Sequence, residues 1–167
     1  YFDTVSVTGT ANLMMAATLA DGETILENVA KEPEVVFLAN VLNQCGAKIK
    51  GHGTDLLIIQ GVQSLKPINC RILPDRIETG TYMVASAITS GDIKIVNCIP
   101  QQVEALTTKL RQAGLIVEED ETSLRVVSDG QFNGVNIKTQ PYPGFATDLQ
   151  AQFMALMALA KGQSIIL

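Results

Sequence analysis

The sequence predicts an α/β fold built from repeated units, each with its strands and helices in the order βαβαββ. The first observation is a repeat: LMMAATLADGETILEN (13–28) aligns with YMVASAITSGDIKIVN (82–97) at a shift of 69 residues (82 − 13). The second is that helical spacing alternates with short strand-like runs inside each copy. Internal repeats of this length indicate one folding module used more than once.

The repeat continues beyond this first segment. After a one-residue gap, QCGAKIKGHGTDLLII (44–59) aligns with QAGLIVEEDETSLRVV (112–127). A third copy starts with FMALMALAKGQSII (153–166), at a shift of 140 (153 − 13), and stops after its first helix and second strand. We therefore expect a truncated piece of a longer protein, because folding units are usually kept whole within a chain. The alternative is a partner chain that completes the third unit.

The first half of each unit is predicted as strand, helix and strand. Alternating apolar residues predict a strand at TVSV (4–7). Residues 10–21 form a helical pattern that is apolar on nearly every side, which indicates burial between two layers. TILEN (24–28) then returns as a strand.

The second half is predicted as a helix followed by a hairpin. The helix begins at Pro33, a residue favoured in the first turn, and ends before Gly46. AKIK (47–50) and DLLIIQ (55–60) form the hairpin. The apolar stripe of this helix recurs in both copies: Val35, Leu38, Ala39 and Leu42, then Val103, Leu106, Leu110 and Ala113.

Composition limits the classes of function. Twelve Lys and Arg residues against 17 Asp and Glu give a net charge of −5, which argues against nucleic acid as a partner because phosphates attract a basic surface. No apolar run approaches the roughly 18 residues of a membrane span, and no signal segment leads the chain. The sequence therefore predicts a soluble cytoplasmic protein that does not bind a membrane.

The three cysteines, Cys45, Cys70 and Cys98, are widely spaced and form no CxxC pair. An odd number without such pairs argues against a disulfide scaffold or a zinc site. We expect each to be a small buried apolar residue and not a nucleophile. No metal and no other cofactor is predicted.

Four segments resemble one family: VSVTGT (5–10), NVAKEPEVVFLANVLNQCGAKI (28–49), ILPDRIETGT (72–81) and FATDLQAQF (145–153). They resemble the UDP-N-acetylglucosamine 1-carboxyvinyltransferases, enolpyruvyl transferases of bacterial peptidoglycan synthesis, and the match runs in register through essentially the whole chain. LPDRIETGT and TDLQAQ are its most specific strings.

The resemblance implies an architecture. The family has two globular domains, each an inside-out α/β barrel of three such units packed around buried helices, with the active site in the cleft between them. Residues 1–73 would be the last unit of the first domain. Residues 74–167 would be the first unit and a half of the second domain.

The resemblance also implies a reaction, the transfer of enolpyruvyl from phosphoenolpyruvate to the 3-hydroxyl of UDP-N-acetylglucosamine. The hydroxyl loses a proton and the enol carbon gains one, so acid–base groups must lie within hydrogen-bond reach. Asp148 matches the carboxylate beside the sugar hydroxyl and is the candidate base, with Thr147 as a substrate-binding neighbour. Apolar Phe145, Ala146 and Leu149 are expected to desolvate the carboxylate partly. From spacing alone, the alternative is that Asp148 or Thr147 caps the following helix.

Four residues match the segment that holds the UDP part of the substrate in the family: Val5, Ser6, Val7 and Thr8. A strand that ends in small polar residues before a helix presents free N–H groups to a phosphate. Ordinary capping by Thr8 or Thr10 is the alternative. The family often has lysine where this chain has Thr4, which puts one diphosphate contact in question.

Asp75 and Arg76 match charged residues that the family places near the cleft, and they are candidate substrate-binding residues. A structural salt bridge at the domain junction explains them equally well. The family's loop cysteine and its Lys and Arg residues for phosphoenolpyruvate belong to segments outside residues 1–167. The isolated chain is therefore expected to be inactive, to depend on the remainder of the full-length chain, and to be prone to self-association through its unfinished third unit.

Two alternatives to this function stay open. A non-catalytic binding or scaffold module could keep the fold without the chemistry, and Thr4 is the observation that favours it. A shikimate-pathway enolpyruvyl transferase shares the fold, but VSVTGT and TDLQAQ match the UDP-sugar branch better.

Overall fold

The computed structural model describes every residue from Tyr1 to Leu167. It divides into two compact units, which we call unit 1 (Tyr1–Leu73) and unit 2 (Pro74–Leu167). Each unit has its own hydrophobic core. The resemblance places a domain boundary at the same point in the chain, and the assignment of the units to two domains of a longer protein stays a prediction.

Unit 1 packs two helices on one face of a three-stranded sheet. Its elements are α1 (Val7–Thr18), β1 (Glu23–Glu27), α2 (Pro33–Gln44), β2 (Lys48–Lys50) and β3 (Leu56–Gln60). The strands are antiparallel in the order β1–β3–β2. Alternate strand residues face the helices, and the buried residues at this contact are Leu26, Ile49, Leu57, Ile59, Met14, Val35 and Ala39.

The strand predicted over 4–7 is wrong, because Val7 is already the first residue of α1. The Ser6 side-chain oxygen accepts a hydrogen bond from the N–H of Gly9 at 3.1 Å. Serine at this position satisfies a helix N–H that would otherwise be unpaired. The helix therefore starts three residues before the predicted 10–21 segment. Ahead of it, the Phe2 N–H donates to the Glu27 carbonyl oxygen at 3.0 Å, which places this residue beside β1.

Helix α1 is buried on one side, whereas its composition predicted burial on two. Met14 is fully buried, but Leu13, Met15 and Leu19 are 48, 44 and 56 % exposed. Unit 1 covers the helix with α2 and the sheet and supplies no second layer for the opposite face. Self-association of the isolated chain stays a prediction.

Unit 2 repeats this architecture and extends it. Its elements are α3 (Arg76–Ile88), β4 (Asp92–Val96), α4 (Glu104–Ala113), β5 (Ile116–Glu119), β6 (Ser123–Val127) and α5 (Gln150–Met157). Short 3₁₀ turns at Pro100–Val103 and Thr147–Leu149 precede α4 and α5. The strands are again antiparallel, in the equivalent order β4–β6–β5.

Backbone conformation confirms the internal repeat. Asn28 and Asn97 end the first strand of their copies in the left-handed region, with φ of 57° and 56°. Gly46 and Gly114 follow the second helices with φ of 104° and 101°. Left-handed residues are uncommon outside glycine, so the recurrence of an asparagine in this conformation identifies equivalent turns.

The structure corrects the alignment of the last strands by one residue. Ile59 pairs with Ile49 in unit 1, and Val126 pairs with Val117 in unit 2. Ile49 and Val117 differ by 68 positions (117 − 49), but Ile59 and Val126 differ by 67 (126 − 59). A shift of one residue exchanges the two faces of a strand. Since Ile59 and Val126 are both fully buried, the hairpin of unit 2 is one residue shorter.

The third copy begins with two segments that flank α5 and meet in isolated parallel bridges. The segment before the helix and the segment after it are joined by a parallel bridge between Ile137 and Ile166. The Ile137 N–H donates to the Ile165 carbonyl oxygen at 3.0 Å, and the Leu167 N–H donates to that of Ile137 at 3.1 Å. Parallel neighbours require a crossover connection, and α5 lies in this connection.

Candidate functional site

The turn Thr147–Leu149, which we call the 147–149 turn, places Asp148 at the start of α5. Asp148 and Thr147 are exposed, whereas Leu149 is 4 % exposed and packs into the core of unit 2. The expectation that apolar neighbours desolvate Asp148 is wrong for this chain. Phe145 and Leu149 turn inward, and the carboxylate between them faces solvent.

Capping, which spacing alone indicated for Asp148 or Thr147, is also not observed. The residue that precedes the 147–149 turn is Ala146, and the residue that precedes α5 is Leu149; neither position has a side-chain cap. Asp148 lies in the first turn, where the helix dipole favours a negative charge. Its carboxylate is therefore an exposed acid group without a capping hydrogen bond.

Three contacts hold the 147–149 turn and the residues that flank it within unit 2. The rings of Phe145 and Phe153 meet edge to face, with centroids 5.3 Å apart. Leu149 lies so close to Gly80 of α3 that a Cβ at Gly80 would be 2.8 Å from both of its Cδ atoms. Gln152 Nε2 donates to Thr81 Oγ1 of α3 at 3.1 Å. The turn is thus held against the first half of α3.

The start of α3 carries the second predicted pair, Asp75 and Arg76. Asp75 Oδ1 accepts hydrogen bonds from the N–H groups of Ile77 at 2.7 Å and Glu78 at 3.2 Å, so Asp75 caps the helix. The Arg76 guanidinium carbon lies 5.8 Å from the centroid of the Tyr142 ring, within the range of a cation–π contact. Capping of α3 was not among the roles that the sequence suggested for Asp75.

The predicted UDP-binding segment lies in unit 1. Val5 and Ser6 precede α1, and Val7 and Thr8 form its first turn. Ser6 is the helix cap, a role that the alternative interpretation gave to Thr8 or Thr10. Gly9 N–H is bonded to Ser6, whereas the N–H groups of Val7 and Thr8 lie in the first turn, where a helix has no internal acceptor for them.

The structure brings part of the predicted set together. Within unit 2, the start of α3 with Asp75 and Arg76 and the turn with Thr147 and Asp148 belong to elements that pack on each other. The Val5–Thr8 segment belongs to the other unit, and its role stays a prediction.

A surface cavity of about 530 Å³ lies beside the segment that leads to Asp148. It is bounded by the start of α4, the turn before it and residues 138–145. Its charged lining residues are Lys109, Lys138 and Glu104. Asp148 does not line it, so this cavity is not the site that the sequence predicts.

Three residues at the contact of the 147–149 turn and α5 with α3 are not among the predicted site residues: Gly80, Thr81 and Gln152. They lie inside the strings LPDRIETGT and TDLQAQ. The sequence did contain a signal for two of them. Thr81 and Gln152 each precede the aligned start of their copy (Tyr82 and Phe153) by one residue, so they occupy the same repeat position, and both are polar residues in apolar helices.

Other side-chain chemistry is sparse. No group of three His, Cys, Asp or Glu residues is arranged to hold a metal ion. Cys98 is buried as predicted, but Cys45 is partly exposed and Cys70 is exposed, so the prediction of burial is wrong for these two. None of the helices is both long enough and apolar enough to span a membrane.

Comparisons with known proteins agree with the resemblance. The family model for EPSP synthase (3-phosphoshikimate 1-carboxyvinyltransferase) matches residues 1–166. Two curated relatives are named UDP-N-acetylglucosamine 1-carboxyvinyltransferase: that of Desulfatibacillum aliphaticivorans is 53 % identical over 166 residues, and that of Finegoldia magna is 54 % identical over 168 residues. Each alignment covers 99 % of this chain and 40 % of the relative. The chain thus spans about 40 % of the length of these relatives.

A solved structure agrees with the fold. The enolpyruvyl transferase NikO from Streptomyces tendae matches with a TM-score of 0.79 and 20 % identity, over 95 % of this chain and 39 % of that chain. At this identity the match shows the fold alone. The predicted α/β fold class, and the resemblance to 1-carboxyvinyltransferases, are confirmed.

Proposed function

We infer function from family: this chain belongs to the EPSP synthase (3-phosphoshikimate 1-carboxyvinyltransferase) family. We propose that it is a portion of an enzyme that transfers enolpyruvyl from phosphoenolpyruvate to the 3-hydroxyl of UDP-N-acetylglucosamine. The names of relatives that are 53 and 54 % identical support this acceptor. Since the chain spans about 40 % of their length, the activity is proposed for the longer protein. Such a protein would act in the cytoplasm, at the first committed step of peptidoglycan synthesis.

The observation that carries the proposal is the state of Asp148. An aspartate at a helix start ordinarily accepts hydrogen bonds from the helix N–H groups, as Asp75 does. Asp148 is exposed and makes no such cap, so its oxygens are available to a ligand. A general base needs this freedom, because it must come within about 2.6–3.2 Å of the proton that it removes.

The proposed roles follow from these positions. Asp148 takes the proton of the sugar 3-hydroxyl as the enol carbon is protonated, and Thr147 beside it contacts the sugar. Asp75 and Arg76 contribute charge at the neighbouring helix start. Closure over the substrate would exclude water and supply the desolvation that Asp148 lacks in this chain.

The UDP diphosphate is proposed to bind at the start of α1. The N–H groups of Val7 and Thr8 lie in the first helical turn, and a helix N-terminus attracts phosphate through its free N–H groups and its dipole. Val5 and Ser6 lead into this turn. Thr4 is exposed and uncharged, so we expect weaker diphosphate binding than in relatives with lysine at this position.

The test is turnover by the full-length protein that contains this chain. Phosphate release is measured with phosphoenolpyruvate and UDP-N-acetylglucosamine for the wild type and for Asp148→Asn. General acid–base groups contribute about 10²–10⁴-fold to rate, so a kcat loss of at least about 100-fold is expected. Asp21→Asn, an exposed aspartate outside the proposed site, is the matched control. A kcat for Asp148→Asn within threefold of the wild type would exclude the role of base.

The same assay separates the alternatives. Replacing the acceptor by 3-phosphoshikimate tests the shikimate branch, for which we expect no turnover. If the folded full-length protein releases no phosphate with UDP-N-acetylglucosamine and none with 3-phosphoshikimate, the result would favour a non-catalytic module.

A further inference from the structure

We propose that Gln152 is a positioning residue: its side-chain amide fixes the 147–149 turn on α3 and thereby sets the place of Asp148. The proposal rests on the proposed function, because it concerns the residue proposed as the base. Gln152 follows Asp148 by four residues, about one helical turn. It therefore lies in the first turn of α5, close to the 147–149 turn.

The hydrogen bonds around Gln152 require an amide. Thr81 Oγ1 donates its hydrogen to the Ile77 carbonyl oxygen at 2.7 Å. A hydroxyl has one hydrogen, so toward Gln152 it acts as an acceptor. Gln152 Nε2 supplies the hydrogen at 3.1 Å. A glutamate or a methionine of similar length has no N–H to donate at this point.

The unused end of the amide gives a second, independent observation. Gln152 Oε1 is buried and has no hydrogen-bond partner, and burial of an unpaired carbonyl oxygen opposes folding. A residue required for packing alone would be apolar and would avoid this cost. The presence of an amide is therefore explained by what its Nε2 does, which is to bridge the two helices.

The repeat gives a third observation. Asn12, Thr81 and Gln152 occupy the same position in the first helices of the three copies (81 − 12 is 69 and 152 − 12 is 140). Asn12 is exposed and donates to Thr8, within its own helix. Thr81 makes the equivalent bond to Ile77 within α3, and it also accepts a hydrogen bond from Gln152 of α5. In α3 and α5 the polar residue at this position therefore also joins two helices, whereas in α1 it bonds only within its own helix.

The contacts show how the bond would control Asp148. Leu149 lies against Gly80, and Gln152 lies against the next residue of α3, Thr81. One point lies just before α5 and the other lies within its first turn, so together they hold this end of the helix on α3. Asp75 caps the start of α3. Loss of the Gln152–Thr81 bond would therefore change the placement of Asp148 relative to Asp75 at the start of α3.

The experiment compares Gln152→Met, Gln152→Glu, Thr81→Val and Thr81→Ser in the full-length protein. A displacement of about 1 Å can reduce a rate by about 100-fold. We expect kcat to fall by about 10- to 100-fold in the first three variants, with KM for the UDP-sugar changed less than about threefold. Thr81→Ser keeps the hydroxyl and should retain most of the wild-type kcat. Gln131→Met, at an exposed glutamine, is the control.

Two further measurements exclude a merely structural role. Because Thr81→Val and Gln152→Met remove the same bond, the double variant should lose no more kcat than the worse single variant. The side-chain amide resonances of Gln152 should shift in Thr81→Val and not in Gln131→Met. Single variants that keep kcat within threefold of the wild type, or losses that multiply in the double variant, would overturn the proposal. If the wild type shows no turnover, the proposed function is refuted, and the NMR measurement still tests the Gln152–Thr81 hydrogen bond. Gln152 amide resonances that do not shift in Thr81→Val would then show that this bond is absent.

Discussion

Ser6 and Asp75 occupy the same position in two copies of the repeated unit (75 − 6 is 69), and each caps its helix with a side-chain oxygen. Each also accepts, at its carbonyl oxygen, the hydroxyl hydrogen of the threonine four residues later, Thr10 at 2.7 Å and Thr79 at 2.9 Å. The third copy has Ala146 at this position and no side-chain cap. The copy that carries Asp148 is thus the one that departs from the capping pattern.

Capping by Asp75 predicts different effects for two substitutions. Asp75→Ala removes the acceptor for the N–H groups of Ile77 and Glu78 and should lower the free energy of unfolding by about 0.5–2 kcal/mol. Asp75→Asn keeps a good capping oxygen and should change it by only a few tenths of a kcal/mol. Urea unfolding followed by circular dichroism measures both. Equal destabilisation by Ala and Asn would show that charge, and not capping, is what Asp75 contributes to stability.

Close packing at Gly80 predicts that a single methyl group is harmful. In Gly80→Ala the new Cβ would meet the Cδ atoms of Leu149 at 2.8 Å and a Cδ atom of Leu106 at 3.1 Å. Overpacking of this kind costs about 1–3 kcal/mol, more than the roughly 1 kcal/mol that alanine gains over glycine in a helix. We expect a lower midpoint of thermal unfolding.

A second substitution tests the cause of this effect. Leu149→Val removes the Cδ atoms that Gly80→Ala would contact. The double variant should be more stable than the sum of the two single changes predicts. If the two effects simply add, then contact with Leu149 is not the reason for a glycine at position 80.

The charged pair on the outer face of the unit 2 sheet predicts a pH dependence. Arg125 donates to both carboxylate oxygens of Asp92, at 2.8 and 2.7 Å. These hydrogen bonds hold the pKa of Asp92 below its ordinary value; desolvation opposes them, and the attraction between the two charges lowers the pKa further. A lowered pKa in the folded state adds stability above the ordinary pKa of aspartate, and this stability is lost as the pH falls through the lowered value.

Arg125→Met should therefore return the pKa of Asp92 toward its ordinary value. Titration of the Asp92 carboxyl carbon by NMR measures the shift. The stability difference between the wild type and the variant should be small, because the pair is exposed, and should shrink below about pH 4. An Asp92 titration that is unchanged in the variant would show that Arg125 does not cause the shift.

The three cysteines should react in the order of their exposure. Cys70 is exposed, Cys45 is partly exposed and Cys98 is buried, and burial raises the pKa of the Cys98 thiol. Because the thiolate is the reactive form, Cys98 should react last. Labelling with a maleimide at neutral pH, followed by peptide mass spectrometry, gives the order, and Cys70→Ser identifies the fast phase. Equal rates for Cys70 and Cys98 would contradict the placement of Cys98 in the core.

Local patterns in the sequence were sufficient for much of the fold. Pro33 and Gly46 mark the ends of α2 because their backbone preferences act within the chain. The stripe from Val103 to Ala113 is buried because helical spacing alone places these residues on one face. The 147–149 turn was located by the string TDLQAQ, but its contacts with α3 were not, since they join residues about 70 positions apart.

The sequence by itself determined the repeated α/β unit, the ends of its second helices and the family to which the chain belongs, because these depend on local preferences and on matched strings. Tertiary structure alone decided the pairing register of β6 and the exposed face of α1. Each of these depends on which groups from distant segments compete for a hydrogen bond or cover a surface. Spacing along the chain does not contain that information.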